Sequence, residues 1–194
     1  MSTKEKSIKS SLLGNWSTQT VVGIALGSAL FGVLMVYGGI PVFTNTKLSL
    51  AYVVPVIVGA LFGPIPAALA AFFGNVFADL IGGWGFWFDW SIGNLVAGFI
   101  IGLLPLYGAN IKEGIFTVKH AIIYSVSAIL GTALAFGLIT PFFTLLFFGG
   151  ELKITYLQAQ SAVISDASVL IVIGVPLLFA LASRYKKQTN LAKE

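Results

Sequence analysis

From about residue 18 to residue 182 the chain is built of apolar runs carrying very little charge, and nothing else in the sequence limits its folds so severely. The runs are separated by short breaks of glycine, proline and polar residues. A helix of about 20 such residues crosses the hydrocarbon of a bilayer with its backbone groups satisfied internally. The runs fall at about 18–37, 49–62, 65–81, 87–107, 120–147 and 158–182. They predict an all-α integral membrane protein, a compact bundle of about six transmembrane helices. Charged residues are 9% of the chain and hydrophobic residues 57%. That charged share is about a third of what a soluble domain carries. A single membrane domain over 1–194 is expected, with a polar tail at 1–17, the bundle at 18–182 and a basic tail at 183–194. The tail at 1–17 is expected to hold a short interfacial helix ending near Trp16. The first run lacks a convincing cleavage site and reads as a retained helix. The second is short, and Pro55 within it predicts a kink. Segments 38–48 and 149–157 read as loops.

Orientation follows from Lys and Arg. With both termini in the cytoplasm, nine of the eleven basic residues lie inside: Lys4, Lys6, Lys9, Lys112, Lys119, Arg184, Lys186, Lys187 and Lys193. Lys47 and Lys153 remain outside and read as solvated loop charges, although a loop lysine can also cover a bound anion. This is a pronounced positive-inside bias.

One stretch breaks the apolar monotony. Residues 75–94, NVFADLIGGWGFWFDWSIGN, hold three of the four tryptophans and two of the seven acids. Gly82, Gly83 and Gly85 predict a sharp turn there. Asn75 and Asp79 are four apart and share a helix face. A charge at that depth is costly in lipid, so it faces a partner or a cavity. The plainer reading is an aromatic anchor at the interface with one helix-packing polar pair. The sharper one is the wall of a ligand pocket.

Depth separates the two readings. With the orientation above, Asn75, Asp79, Ser91, Asn94, Thr140, Thr144, Gln158, Gln160, Ser161, Ser165 and Asp166 all fall in the outer halves of their spans. The inner halves are almost purely apolar. A proton or ion path needs polar groups across the whole depth. The pattern instead predicts a cup open to the outside and closed below, with walls from Trp84, Phe86, Trp87, Phe88 and Trp90. Candidate binding residues are Asn75, Asp79, Trp84, Trp87, Asn94 and Asp166. Trp84 and Trp87 would stack on a planar ring, and Asn75 and Asn94 would hydrogen-bond its edge. For Asp166 the plain alternative is an internal pair with a Ser or Asn of a neighbouring helix. His120 reads as a membrane-boundary histidine facing the inner loop.

In the first span small residues recur: Gly23 with Gly27, and Ala25 with Ala29. Such spacing lets another helix approach closely in lipid. The chain lacks GxxxxGK[ST], HExxH and GxSxG, so it carries no ATPase, zincin or hydrolase-elbow motif. It has no cysteine and one histidine, which leaves no Cys or His-rich metal site. No catalytic residue, metal or cofactor is expected, and no nucleic-acid partner. A stand-alone carrier and a membrane-embedded enzyme with an Asp79/Asp166 pair remain as alternatives.

Six short spans, AxxxA in the first, and the segment Asp79-Leu80-Ile81-Gly82-Gly83-Trp84-Gly85-Phe86-Trp87 resemble the substrate-binding S components of energy-coupling factor (ECF) vitamin transporters. That segment is similar to the DLIxGWGxW pattern of a riboflavin-type or uncharacterised S-component family. The resemblance implies high-affinity capture of a water-soluble vitamin or precursor from outside the cell membrane. It implies docking through Ala25 and Ala29 on a transmembrane coupling subunit that sits on two cytoplasmic ATPases. It also implies release by toppling in the membrane. Cobalamin, the hydroxymethylpyrimidine precursor of thiamine and methionine-related compounds are the ligand classes it brings. The wide aromatic loop inclines the choice to cobalamin.

Overall fold

The computed structural model describes Leu12 and residues 16–43 and 46–191, so most of the expected N-terminal tail and its interfacial helix lie outside the described residues. Helix α1 spans Thr18–Tyr37, its first turn capped by the Ser17 hydroxyl, which accepts from the Thr20 amide. The segment expected as a loop is an antiparallel hairpin, β1 (Gly39–Phe43) with β2 (Thr46–Ser49), with a bulge between Pro41 and Phe43. Then come α2 (Val53–Phe62), α3 (Pro64–Gly82), α4 (Phe88–Ile101), α5 (Val118–Phe148) and α6 (Leu152–Gln188).

Five of these helices, counting α4 on to Tyr107, are long and apolar enough to span a membrane; α2, even from Leu50, is not. Ten residues rise about 15 Å, half of the roughly 30 Å hydrocarbon layer. The chain therefore starts α2 part-way down, and the hairpin before it is drawn into the bundle. Ser49 is fully buried and its hydroxyl donates to the Leu34 carbonyl at 3.3 Å. Strand pairing satisfies a backbone that lipid could not. Pro55 occupies the first turn of α2, after the 3-10 turn Leu50–Tyr52, a place where a missing N–H is tolerated.

Two further boundaries differ from the sequence reading. Segment 149–157 is mostly helix, because Gly149 (φ 68°) and Gly150 (φ 136°) reverse the chain by themselves and α6 starts at Leu152. Within α5, π-helical turns at Ala135–Ile139 and Thr144–Phe148 flank Pro141. Proline removes one amide from the ladder, and a wider turn re-registers the bonds around it.

The two small-residue patterns of α1 lie on different faces. Gly27 and Gly32 are buried: a Cβ on Gly27 would lie 2.9 Å from Val58, and one on Gly32 2.8 Å from Phe77. They let α1 settle onto α2 and α3. Ala25 and Ala29 are exposed.

At one end of the bundle Leu104, Ile111, Tyr124 and Leu178 are all at most 1% exposed and close the interior. Lys112, Lys119, Arg184, Lys186 and Lys187 belong to the segments of this end, where the Lys112 ammonium lies 5.1 Å from the Phe62 ring centroid. The basic end should face the cytoplasm. Single cysteines test this without background, because the chain has none of its own. An impermeant maleimide should label Glu151→Cys on intact cells and reach Glu113→Cys only after lysis. Labelling at 113 on intact cells would reverse the orientation.

Candidate functional site

The far end of the bundle gathers the C-termini of α1, α3 and α5, the N-termini of α4 and α6, and the hairpin. A cavity of about 520 Å³ opens among them. Its wall includes all six residues that the sequence nominates, Asn75, Asp79, Trp84, Trp87, Asn94 and Asp166.

Asp79 builds the turn. Its Oδ2 accepts the Trp87 amide at 2.9 Å and its carbonyl accepts the Trp84 amide at 3.1 Å. Between these bonds the chain passes through Gly83 (φ 66°) and Gly85 (φ 84°), left-handed positions that suit glycine. The turn aims Trp84 and Trp87 at the cavity, and the Trp87 indole N–H closes it on the Trp84 carbonyl at 2.9 Å. Phe86 and Phe88, expected as walls, do not line the cavity. Phe86 is 55% exposed, and Phe88 joins Phe143, Phe147 and Phe148 in an aromatic cluster beside it. In a turn this tight, neighbouring side chains cannot all face one way.

Beneath the tryptophans runs a buried amide relay. Asn94 Nδ2 donates to Asn75 Oδ1 at 3.1 Å and to the Trp90 carbonyl at 3.0 Å. Asn75 Nδ2 donates to Ser91 Oγ at 3.1 Å and to Asp79 Oδ2 at 3.4 Å. Both partners of Asn94 Nδ2 are carbonyl oxygens, so the amide orientation is fixed by chemistry. These donors are used inside the protein. Asn94 Oδ1 is buried and has no hydrogen-bond partner among the described residues.

Asp166 lies on α6, 3% exposed, with the Tyr52 phenol set against its carboxylate. The Ser or Asn partner weighed for it is replaced by a tyrosine that sequence reasoning passed over. Tyr52 also packs edge-on to Phe31 and Phe136, with ring centroids at 5.7 and 6.0 Å. A lone phenol in an aliphatic run was the available signal. Trp90 stacks on Phe136.

Lys47, read as a solvated loop charge, also lines the cavity. The hairpin carries it inward, where its ammonium donates to the Val36 carbonyl at 3.1 Å and lies 5.2 Å from the Trp84 ring centroid. Asp89 is fully buried and is not part of the cavity wall; the Thr144 hydroxyl, from that wall, donates to its carboxylate and ties α4 to α5. His120 belongs to a capping box at the start of α5, its Nδ1 accepting from the Thr117 amide. A second, shallow groove lies between α1 and α3, lined by Trp16, Ala25, Leu69, Phe73 and Phe77 among others.

Residues 15–183 match the family model described as "ECF-type riboflavin transporter, S component". A UPF0397 protein of Aliivibrio fischeri (strain MJ11) is 36% identical over 182 residues, covering 92% of this chain and 98% of that protein. UPF0397 proteins of Aliivibrio salmonicida and Vibrio atlanticus are 37% and 34% identical, over 92% of this chain and 98% and 99% of theirs. Among solved structures, FolT bound with folic acid superposes with a TM-score of 0.61 over 87% of this chain and 96% of FolT, at 20% identity.

Proposed function

The chain belongs to the family of S components of ECF-type riboflavin transporters, and from that premise we propose that it captures a planar, vitamin-sized ligand on the outer face of the cell membrane. The family is a transporter's substrate-binding component, not an enzyme, and its members work with a coupling subunit and ATPases. In this proposal the chain hands its ligand to such a coupling subunit, driven by two ATPases, and Ala25 and Ala29 form the docking face.

One observation carries the reading: an aromatic and amide-lined cavity at one end of the bundle, above an end packed shut with apolar side chains. A stand-alone carrier also needs a route through the closed end, and Leu104, Ile111, Tyr124 and Leu178 fill it. A carboxylate-pair enzyme is also disfavoured. Asp79 is engaged by the Trp87 amide and Asn75, whereas Asp166 is set against Tyr52.

The volume bears on the ligand. About 520 Å³ is in the range of ordinary small-molecule sites and suits a flavin- or pterin-sized ring system. Cobalamin, favoured on the width of the aromatic loop, is far larger, so the ligand proposed here is the smaller planar class.

The test is a thermal-shift panel of water-soluble vitamins and their precursors on the purified chain in detergent. A true ligand raises the melting temperature by mass action, binds one to one, and is recovered unchanged. A chemically altered product, or concentrative uptake by the chain alone in liposomes, would overturn the proposal.

A further inference from the structure

The Lys47 ammonium stands on this wall with an N–H on the Val36 carbonyl; the amides and carboxylates of the wall offer acceptors. Asn75 and Asn94 use their amide N–H groups on each other and on Ser91, Asp79 and the Trp90 carbonyl. What remains on Asn94 is its Oδ1, a buried acceptor with no partner among the described residues. Asp79 receives the Trp87 and Asn75 N–H groups. Asp166 is different. Buried to 3% exposure on the same wall, its carboxylate is set against a single phenol, Tyr52, and no basic side chain is set against it among the described residues. A carboxylate offers about four lone-pair positions, so one phenol leaves most of them open. A charge held this way at membrane depth is costly until something in the cavity donates to it.

We propose that Asp166 selects the ligand by its donor edge: a planar nitrogen heterocycle carrying an amino group next to a ring N–H or protonable ring nitrogen. Such an amidine-like edge places two parallel N–H groups on the two carboxylate oxygens, the bidentate geometry that makes charge-assisted hydrogen bonds strong and directional. Tyr52 holds the carboxylate in orientation from its other side. Trp84, Trp87 and Trp90 give the ring its flat walls. A ring with carbonyls at the same positions sets oxygen against oxygen and is rejected, because discrimination by a buried polar group comes from the pairing left unmade.

This inference rests on the S-component reading and goes further by naming the edge that is recognised. The experiment titrates two matched pairs into the purified full chain by calorimetry: 2-amino-4-oxopteridine against 2,4-dioxopteridine, and 2,4-diaminopyrimidine against uracil. Within each pair, ring size is held constant and amino is exchanged for oxo. The expected result is a preference of about 10- to 150-fold for the amino ring. Asp166→Asn keeps the shape but halves the acceptor edge, and should bring each pair within about threefold. Tyr52→Phe leaves the carboxylate in place and should reduce the preference without abolishing it. If Asp166→Asn is not monodisperse, the Tyr52→Phe result and the wild-type preference decide alone. Equal affinity within both pairs, binding of neither member, or a preference that survives Asp166→Asn overturns the inference. If the vitamin panel then yields a ligand without an amino edge, the S-component reading stands and only the selection rule falls. If nothing in the panel or the pairs binds, both fall.

Discussion

Replacing Ala25 and Ala29 together by tryptophan should reduce cellular uptake to background while the isolated chain still binds ligand with a dissociation constant within about twofold of wild type. The faces of α1 decide this. Apolar exposure by itself marks nothing in a lipid-facing helix, where Val21, Val22, Leu26 and Leu30 are all exposed too. What distinguishes positions 25 and 29 is that their side chains are small, exposed and four residues apart, so they lie in one row along the helix. Another helix can approach its backbone there, and dispersion at close range is what holds helices together in lipid. Two indoles hold that partner off. They do not disturb the bundle, because the inward face of α1 is the separate row of Gly27, Ser28, Phe31 and Gly32. Gly27→Trp supplies the contrast. Its Cβ would meet Val58 at 2.9 Å and Ala70 at 3.3 Å, so this variant should lose folded yield and ligand binding together. Copurification of the Ala25/Ala29 double variant with the coupling subunit, together with normal uptake, would remove α1 as the docking face.

The same physics explains which features were legible in the sequence. Span positions follow from the cost of an unsatisfied backbone in hydrocarbon, and they show as apolar runs. Asn75, Asp79, Asn94 and Asp166 stand out because a polar group inside such a run needs a reason. All four share one cavity. The hairpin was hidden because its strands are only five and four residues long and contain Pro41. Its cause, an α2 too short to cross, lies in the neighbouring element. The place of Lys47 was hidden with it, since a lysine in a loop is ordinarily solvated and only the inward fold of the hairpin brings it over Trp84. The split between Trp84 and Trp87, which face the cavity, and Phe86, which does not, depends on the backbone angles at Gly83 and Gly85. Residue composition does not carry those angles.

Asn94→Ala and Trp87→Ala should each weaken ligand binding, by different routes and with different stability signatures. Asn94 is 1% exposed and carries the relay between the Trp90 carbonyl and Asn75. Truncation leaves the Asn75 Oδ1 and the Trp90 carbonyl without that donor, and it removes the Asn94 Oδ1, itself buried and unpaired among the described residues. Leaving a buried polar group unsatisfied costs about 1–3 kcal/mol. If the ligand fills that acceptor, affinity falls roughly 5- to 150-fold as well. Asn94→Ala should therefore lower both the melting temperature and the affinity. Trp87 is 38% exposed and its indole bonds only within the turn, to the Trp84 carbonyl, with Phe148 packed beside it at 4.7 Å between ring centroids. Removing the ring leaves the Trp87 amide on Asp79, so the turn keeps its backbone bond. Affinity should fall through loss of the stacking surface, by about 0.5–1.5 kcal/mol beyond the lost area, with a small change in melting temperature. The measurement is the dissociation constant of each variant on monodisperse protein with the melting temperature recorded alongside. Normal affinity in both variants, with early melting, would move the ligand away from this wall. The tryptophan turn would then be an interfacial anchor, and the amide relay a packing device between α3 and α4.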